Sequence, residues 1–323
     1  MGNTISQMFP PTAQFTEANI PDQTGKVFIV TGSSSGVGKE LAQILYSHNA
    51  KVYVAARSSE KASKAIESIK TTFPNSKGAL EYLHLDLDDL STIKASADEF
   101  LSKEQRLDVL WNNAGVMIPP QGSKTKQGYE LQLGTNCVAP FLFTKLLTPI
   151  LKNSAKVNPP GSTRVVWVSS SAAEGFSPKD GINLANLDYK KDQAPWHKYG
   201  VSKAGNLYHG KEFAKRYGDD GIISVALNPG NLKSDLQRHI AGWQNAILSR
   251  MLYTPIHGAY TELFAGLSPD INSERNGAWI IPWGRFGVLR ADLVAGSKSE
   301  EEGGTGIAKK FWEWSEDQVK SYL

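Results

Sequence analysis

Nearly continuous apolar runs, rich in Val, Ile and Leu, recur at residues 27–30, 52–56, 109–111, 165–168 and 222–227. After several of them apolar positions return every three or four residues, as at Leu41, Ile44 and Leu45, and at Ala62, Ala65, Ile66 and Ile69. The first pattern is that of a strand covered on both faces. The second is that of a helix with one buried stripe. Together they predict strands at 26–31, 50–56, 80–85, 107–111, 163–170, 222–228 and 278–281. Helices are predicted at 36–48, 59–72, 90–103, 128–152 (interrupted by Pro140) and 199–217, with more helix between 232 and 267. Alternation at βα spacing argues an α/β fold: a doubly wound parallel sheet in a single domain. Residues 1–24, with Pro10, Pro11 and Pro21, read as an irregular N-terminal extension. Residues 25–290 read as the sheet domain with its substrate-binding segments, and 291–323 as a C-terminal tail. Within that tail, 296–306 is rich in Ser, Glu and Gly and reads as a mobile loop, and Phe311-Trp312-Glu313-Trp314 as a terminal helix docked on the body.

In such a sheet ligands sit beyond the carboxyl ends of the strands, and polar and small residues gather there. The first strand runs into Thr31-Gly32-Ser33-Ser34-Ser35-Gly36-Val37-Gly38 and then a helix. This is how a strand, a phosphate-binding turn and a helix are written, although the spacing is Gly-x-x-x-Gly-x-Gly rather than Gly-x-Gly-x-x-Gly: glycines permit the turn, and the N–H groups and dipole of the helix start favour an anion. The next ends carry Ala56-Arg57, Asp86, Asn112-Asn113-Ala114-Gly115, Ser169-Ser170-Ser171 and Asn228-Pro229-Gly230. Tyr199 and Lys203 stand four apart at the start of a predicted helix, so they share a face. An ammonium beside a phenol favours phenolate and lowers its pKa from about 10, which suits proton exchange at a carbonyl or alcohol oxygen.

Composition narrows the classes. The 323 residues are 40% hydrophobic and 21% charged, with a formal net charge of +3, too slight to imply nucleic acid or an acidic membrane. Cys137 is the only cysteine, which excludes an internal disulfide and a cysteine-based zinc site. It reads as a small buried hydrophobe. The histidines show no paired metal spacing, so no metal is expected. The absence of a signal-peptide pattern and of a long apolar run predicts a cytoplasmic protein with no transmembrane segment. Met1-Gly2-Asn3-Thr4-Ile5-Ser6 fits the N-myristoylation pattern with Gly2 as acceptor; the competing reading is an extension that packs on the body.

The motifs resemble those of the short-chain dehydrogenase/reductase superfamily, in family order: Thr31-Gly32-x-x-x-Gly36-x-Gly38, Asp86, Asn112-Asn113-Ala114-Gly115, Asn136, Ser169-Ser170, Tyr199-x-x-x-Lys203 and Pro229-Gly230. Within it the chain resembles the retinol-dehydrogenase-like branch. Its Phe9-Pro10-Pro11 and Phe311-Trp312-Glu313-Trp314 are similar to those of fungal relatives of secondary metabolism. The resemblance implies catalytic roles for four residues. Ser170 holds the substrate oxygen, Tyr199 is the general acid or base, Lys203 holds the nicotinamide ribose, and Asn136 keeps a water that links Lys203 to solvent. It implies a dinucleotide held by Gly32, Ser34, Gly36, Val37, Gly38, Lys39, Arg57, Asp86, Asn113, Tyr199, Lys203, Pro229, Gly230, Leu232 and Ser234. It also implies dimers or tetramers built through the Asn136 and Tyr199 helices, an arrangement the aromatic tail could alter.

Ala56 stands where NAD-dependent sites place an acidic residue, and Arg57 follows, so NADP(H) is expected. The reading is an NADP-dependent oxidoreductase moving hydride between NADPH and a carbonyl or alcohol of an apolar small molecule. Alternatives are a non-catalytic NADP-binding sensor and reduction of a carbon–carbon double bond. Trp196 and Trp243 read either as cleft lining or as plain packing, and His197 either as a substrate contact or as loop surface.

Overall fold

Burial on both faces turns the apolar runs into strands. The computed structural model describes residues 2–233 and 252–323. Over these residues one sheet holds β1 (Val27–Thr31), β2 (Lys51–Ala56), β3 (Ala79–His84), β4 (Val109–Asn112), β5 (Thr163–Val168), β6 (Ile222–Leu227), β7 (Trp279–Ile281) and β8 (Arg285–Phe286). Their spatial order is β3-β2-β1-β4-β5-β6-β7-β8, parallel except for the antiparallel β8. The order reverses between β1 and β4, and this opens a crevice at the carboxyl ends of those strands. Strands β1, β4, β5 and β6 are buried along their whole length. Phe28, Val30, Trp111 and Val166 pack with Leu41, Leu45 and Leu263 on one face. Ile29, Leu110 and Trp167 pack with Phe141, Leu207 and Phe213 on the other.

The helices at Ser59–Thr72 and Leu90–Lys103 match the periodicity, and Asp89 caps the second by accepting from Ser91 N. Four elements differ from expectation. The 128–152 helix is a short turn at Leu131–Leu133, a π-helical turn at Gly134–Val138 and a helix at Ala139–Val157. Pro140 lacks the N–H that would reach the Asn136 carbonyl, and the ladder widens there, with Ala139 N donating to Gly134 O. The helix bearing Tyr199 starts a turn earlier, at Pro195, because proline is favoured in a first turn. Residues 2–8, predicted irregular, form the helix Gly2–Met8. Seven residues do not hold a helix alone in water, so tertiary contacts supply its stability. The segment after the helix Ala291–Ser297 is a bonded turn: Gly304 N donates to Ser299 O (2.8 Å) and Thr305 N to Ala295 O (3.0 Å).

The tail helix Ile307–Val319 docks on the helix Pro195–Tyr217. Phe311 stacks on His209 at 4.9 Å, and Trp312 meets Phe141 edge-on at 4.7 Å. Among the described residues no helix is long and apolar enough to cross a membrane.

Candidate active site

A cleft of about 660 Å³ opens over the carboxyl ends of the strands. Its phosphate-loop end is built by close approach. Gly32 has φ +70°, and a Cβ there would stand 2.9 Å from Ala114 Cα. A Cβ on Gly38 would stand 2.5 Å from Asn113 Nδ2 and 3.0 Å from Ser33 Cα, so this glycine lets the loop after β4 close on the loop after β1. Asn113 Nδ2 in turn donates to Thr31 O (2.7 Å), and Ala114 N to Thr31 Oγ1 (2.9 Å). The loop between β1 and the helix Gly36–Ser47 is thus preset for an anion.

At the other end, Tyr199 and Lys203 are both buried, with the Lys203 Nζ 5.7 Å from the centre of the phenol ring. Ser170 stands beside the phenol, and its Oγ accepts from Ala172 N (3.1 Å). Lys203 Nζ donates to Val168 O (2.9 Å). Ser169 also lines the cleft, but its hydroxyl is spent on the scaffold, Oγ donating to Lys203 O (2.6 Å). Asn136 spends its side chain on scaffolding: Oδ1 accepts from Val116 N (2.8 Å), and Nδ2 donates to Val116 O (3.0 Å) and Ser202 Oγ (3.0 Å). Of the water-holding role expected for Asn136, only its carbonyl is left, since its amide joins the loop after β4 to the Tyr199 helix. Gly115 fits between Asn136 and Lys203; a Cβ there would be 3.1 Å from Asn136 Oδ1 and 3.5 Å from Lys203 Nζ.

Burial, not the ammonium, governs the phenol. It pushes Tyr199 up to about 12, against a downward pull from the Ser170 hydroxyl, and pushes Lys203 down to about 8. This corrects the expectation of a lowered Tyr199 pKa: removing both groups from water disfavours the charged form of each.

A family model described as short chain dehydrogenase matches residues 26–181. A short-chain dehydrogenase/reductase of Phomopsis amygdali is 55% identical over 99% of this chain and 97% of its own. The chain belongs to the short-chain dehydrogenase/reductase family. A second relative of the same description, from Emericella nidulans, is 50% identical over 97% of this chain and 98% of its own. Both relatives are fungal. Among solved structures, an uncharacterized protein from Mycobacterium Paratuberculosis superposes with a TM-score of 0.68 at 26% identity, over 95% of this chain and 97% of that one. The protein is an oxidoreductase by family.

In this short-chain dehydrogenase/reductase the cleft brings together Gly32, Ser34, Gly36, Val37, Gly38, Arg57, Asp86, Asn113, Ser170, Tyr199, Lys203, Pro229, Gly230 and Leu232. Ser234, Trp243 and the 234–251 part of the predicted helical stretch lie outside the described residues. Lys39 is not brought to the cleft. Its Nζ donates instead to Ser68 Oγ (3.1 Å) on the neighbouring helix Ser59–Thr72. Lys61 lines the cleft instead, a residue the motifs did not single out. Arg57 is 65% exposed and pairs with Asp88 at 2.6 Å and more distantly with Asp86 at 4.0 Å. Asp88 also accepts from Thr135 Oγ1 (2.7 Å). Trp196 and Phe176 line the cleft mouth with their rings 4.9 Å apart, while His197 faces a separate cavity of about 190 Å³ beside Tyr189. Cys137 is buried, with its Sγ–H directed at Ser202 O (2.8 Å).

Proposed function

We propose that this protein is an NADP-dependent reductase that converts the carbonyl of an apolar small molecule to an alcohol. The observation that carries the reading is the Ser170–Tyr199–Lys203 cluster on the floor of a cleft with Phe176 and Trp196 at its mouth. The glycine cradle fits a pyrophosphate, and Lys203 fits a ribose diol beside it. When bound, a nicotinamide dinucleotide supplies the hydride to the carbonyl carbon. Ser170 donates a hydrogen bond to the substrate oxygen and fixes its position. Tyr199 gives its proton to that oxygen as negative charge develops there. Phe176 and Trp196 cover apolar substrate surface and exclude water. Following NADPH oxidation with a panel of carbonyls tests the reading; a purified protein that oxidises none of them overturns it. With an enone, an alcohol product supports carbonyl reduction, and a saturated ketone assigns the double bond instead.

The choice of NADP rests on the end of β2. Arg57 and Lys61 both border the cleft there, and Ser58 caps the helix Ser59–Thr72 by accepting from Lys61 N, so a helix start adds its dipole. The Arg57–Asp88 pair is exposed, worth at most about 1 kcal/mol, so the guanidinium turns to a 2′-phosphate at little cost. Arg57→Ala is expected to lower kcat/KM with NADPH by about 10- to 100-fold and to leave NADH within about threefold. A wild-type preference for NADH would sink the assignment.

The pH profile follows from the two buried groups. With Tyr199 near 12 the phenol carries its proton throughout the neutral range, and with Lys203 near 8 the ammonium loses its proton above that. Reduction is therefore expected to be level up to about pH 7 and to fall through about 8, while alcohol oxidation, which needs phenolate, rises with pH. A reduction rate that climbs between pH 7 and 9 would contradict a phenol acting as the acid.

A further inference from the structure

The helix Gly2–Met8 has no part in the chemistry above, yet it is bonded to both walls of the cleft. Gln7 is 6% exposed. Its Nε2 donates to Glu174 Oε2 (3.1 Å), and its Oε1 accepts from Asn228 Nδ2 (2.8 Å). Arg285 Nη2 donates to Ser6 O (2.8 Å). Glu174 lies on the short helix Ala172–Gly175, which starts two residues after Ser170. Asn228 precedes Pro229-Gly230, and its Oδ1 accepts from Gly230 N (3.1 Å). One amide thus spans the loop that carries Ser170 and the loop that closes the opposite wall, 167 and 221 residues away in sequence. Only an amide serves here. A carboxylate at position 7 would face Glu174, and an apolar side chain would leave a buried Asn228 N–H unpaired. The next residue, Met8, lines the cleft itself, together with Phe176 and Trp196.

We propose that the N-terminal helix is part of the active site: Gln7 is a positioning residue that sets the spacing of the Ser170 and Pro229-Gly230 loops, and Met8 is a specificity-determining wall that favours bulky apolar carbonyls. The claim about specificity rests on the reductase reading; the claim about spacing does not. Gln7 acts through hydrogen bonds to two loops that are joined at their roots by Ser169 N donating to Leu227 O (2.8 Å), and it ties them together further out. A small loss of register there changes the attack geometry at Ser170 and Tyr199 more than it changes dinucleotide binding. Met8 contributes apolar contact to large substrates and none to small ones.

The test uses the full chain with Gln7→Ala, Gln7→Glu and Met8→Ala. The probes are butane-2,3-dione as the small carbonyl and 9,10-phenanthrenequinone as the bulky one. Gln7→Ala is expected to lower kcat about tenfold on both probes with the NADPH Kd unchanged, and Gln7→Glu to lower it at least as far. Met8→Ala is expected to raise KM for the quinone about fivefold and to leave kcat, and KM for the dione, unchanged. Hydrogen exchange supplies a readout that needs no substrate. In Gln7→Ala the amides of 172–176 and 230–233 are expected to exchange about tenfold faster, with β1, β2 and β3 unchanged. Unchanged exchange in those two loops overturns the spacing role, whatever the kinetics. Equal KM values for Met8→Ala and wild type on both probes overturn the specificity role. If the wild type turns over neither probe, nor any other carbonyl, the reductase reading falls and takes the specificity role with it, while exchange still decides the spacing role.

Discussion

Tyr199→Phe is expected to lower kcat for carbonyl reduction by about 10³-fold and to leave NADPH binding within about twofold. The substitution removes one oxygen and keeps the ring. That ring is packed: it is 5% exposed, lies edge-on to Trp196 at 6.2 Å between centroids and has the Lys203 ammonium over it. The fold around it should therefore hold. What is lost is the proton donor beside Ser170. A positioned acid contributes about 10²–10⁴ to the rate of such a step. In the proposed reading Lys203 serves the ribose, so it is not expected to replace the phenol at the substrate oxygen. Stopped-flow or steady-state NADPH oxidation measures the rate, and quenching of protein fluorescence by NADPH measures the binding. Turnover above about a tenth of wild type would refute the assignment of Tyr199. Lost binding alongside lost turnover would mean that the variant disturbed the cleft rather than the chemistry.

Trp312→Ala is expected to destabilise the protein by about 3–5 kcal/mol and to lower Tm by on the order of 10 °C. Trp312 is 1% exposed in the middle of the tail helix. Its ring contacts those of Phe141, His209, Phe213 and Tyr217, and the Arg216 guanidinium lies 4.8 Å from its centre. Truncation empties a space bounded by the two helices that carry Asn136 and Tyr199 toward the site. Neighbours held by so many other contacts cannot collapse into that space, so the cavity cost adds to the lost transfer free energy. Trp314, half-buried and stacked on Phe311 at 5.5 Å, should cost less when cut to alanine. Thermal melts of the two variants check the ranking, and a Tm for Trp312→Ala equal to that of wild type would show that the tail helix is dispensable to the core. The same helix covers the outer side of Pro195–Tyr217, one of the surfaces through which the family resemblance implied dimers.

The strand ends were legible for a simple reason. An apolar run must stop where the sheet meets solvent, and the residues at the stop are the ones that can meet a ligand. Hence Gly32, Asp86, Asn113, Ser170 and Pro229 could be named without coordinates. The i, i+4 pair Tyr199 and Lys203 was legible because helical periodicity alone puts them on one face. Lys39 shows where this logic fails. Position along a helix start says that a lysine is near the phosphate loop but not toward which side its ammonium turns, and here it turns to Ser68. Lys61 was missed because it stands in the next helix with no motif around it. The sign of the Tyr199 shift was also missed, since spacing shows a charged neighbour but not the depth of burial that outweighs it.

By itself the sequence determined what repeats or is local: alternating strands and helices, a glycine-bearing turn, the Tyr199–Lys203 face, and the family those motifs spell. Only the tertiary structure decided what depends on distant segments meeting. Gln7 reaches Asn228 and Glu174, Met8 and Phe176 share a cleft, Arg57 pairs with Asp88, and Trp312 seals the helices behind the site. Periodicity reports the face a residue shows to its own element. Which partner covers that face, and so how far water is excluded from it, is a property of the packed chain.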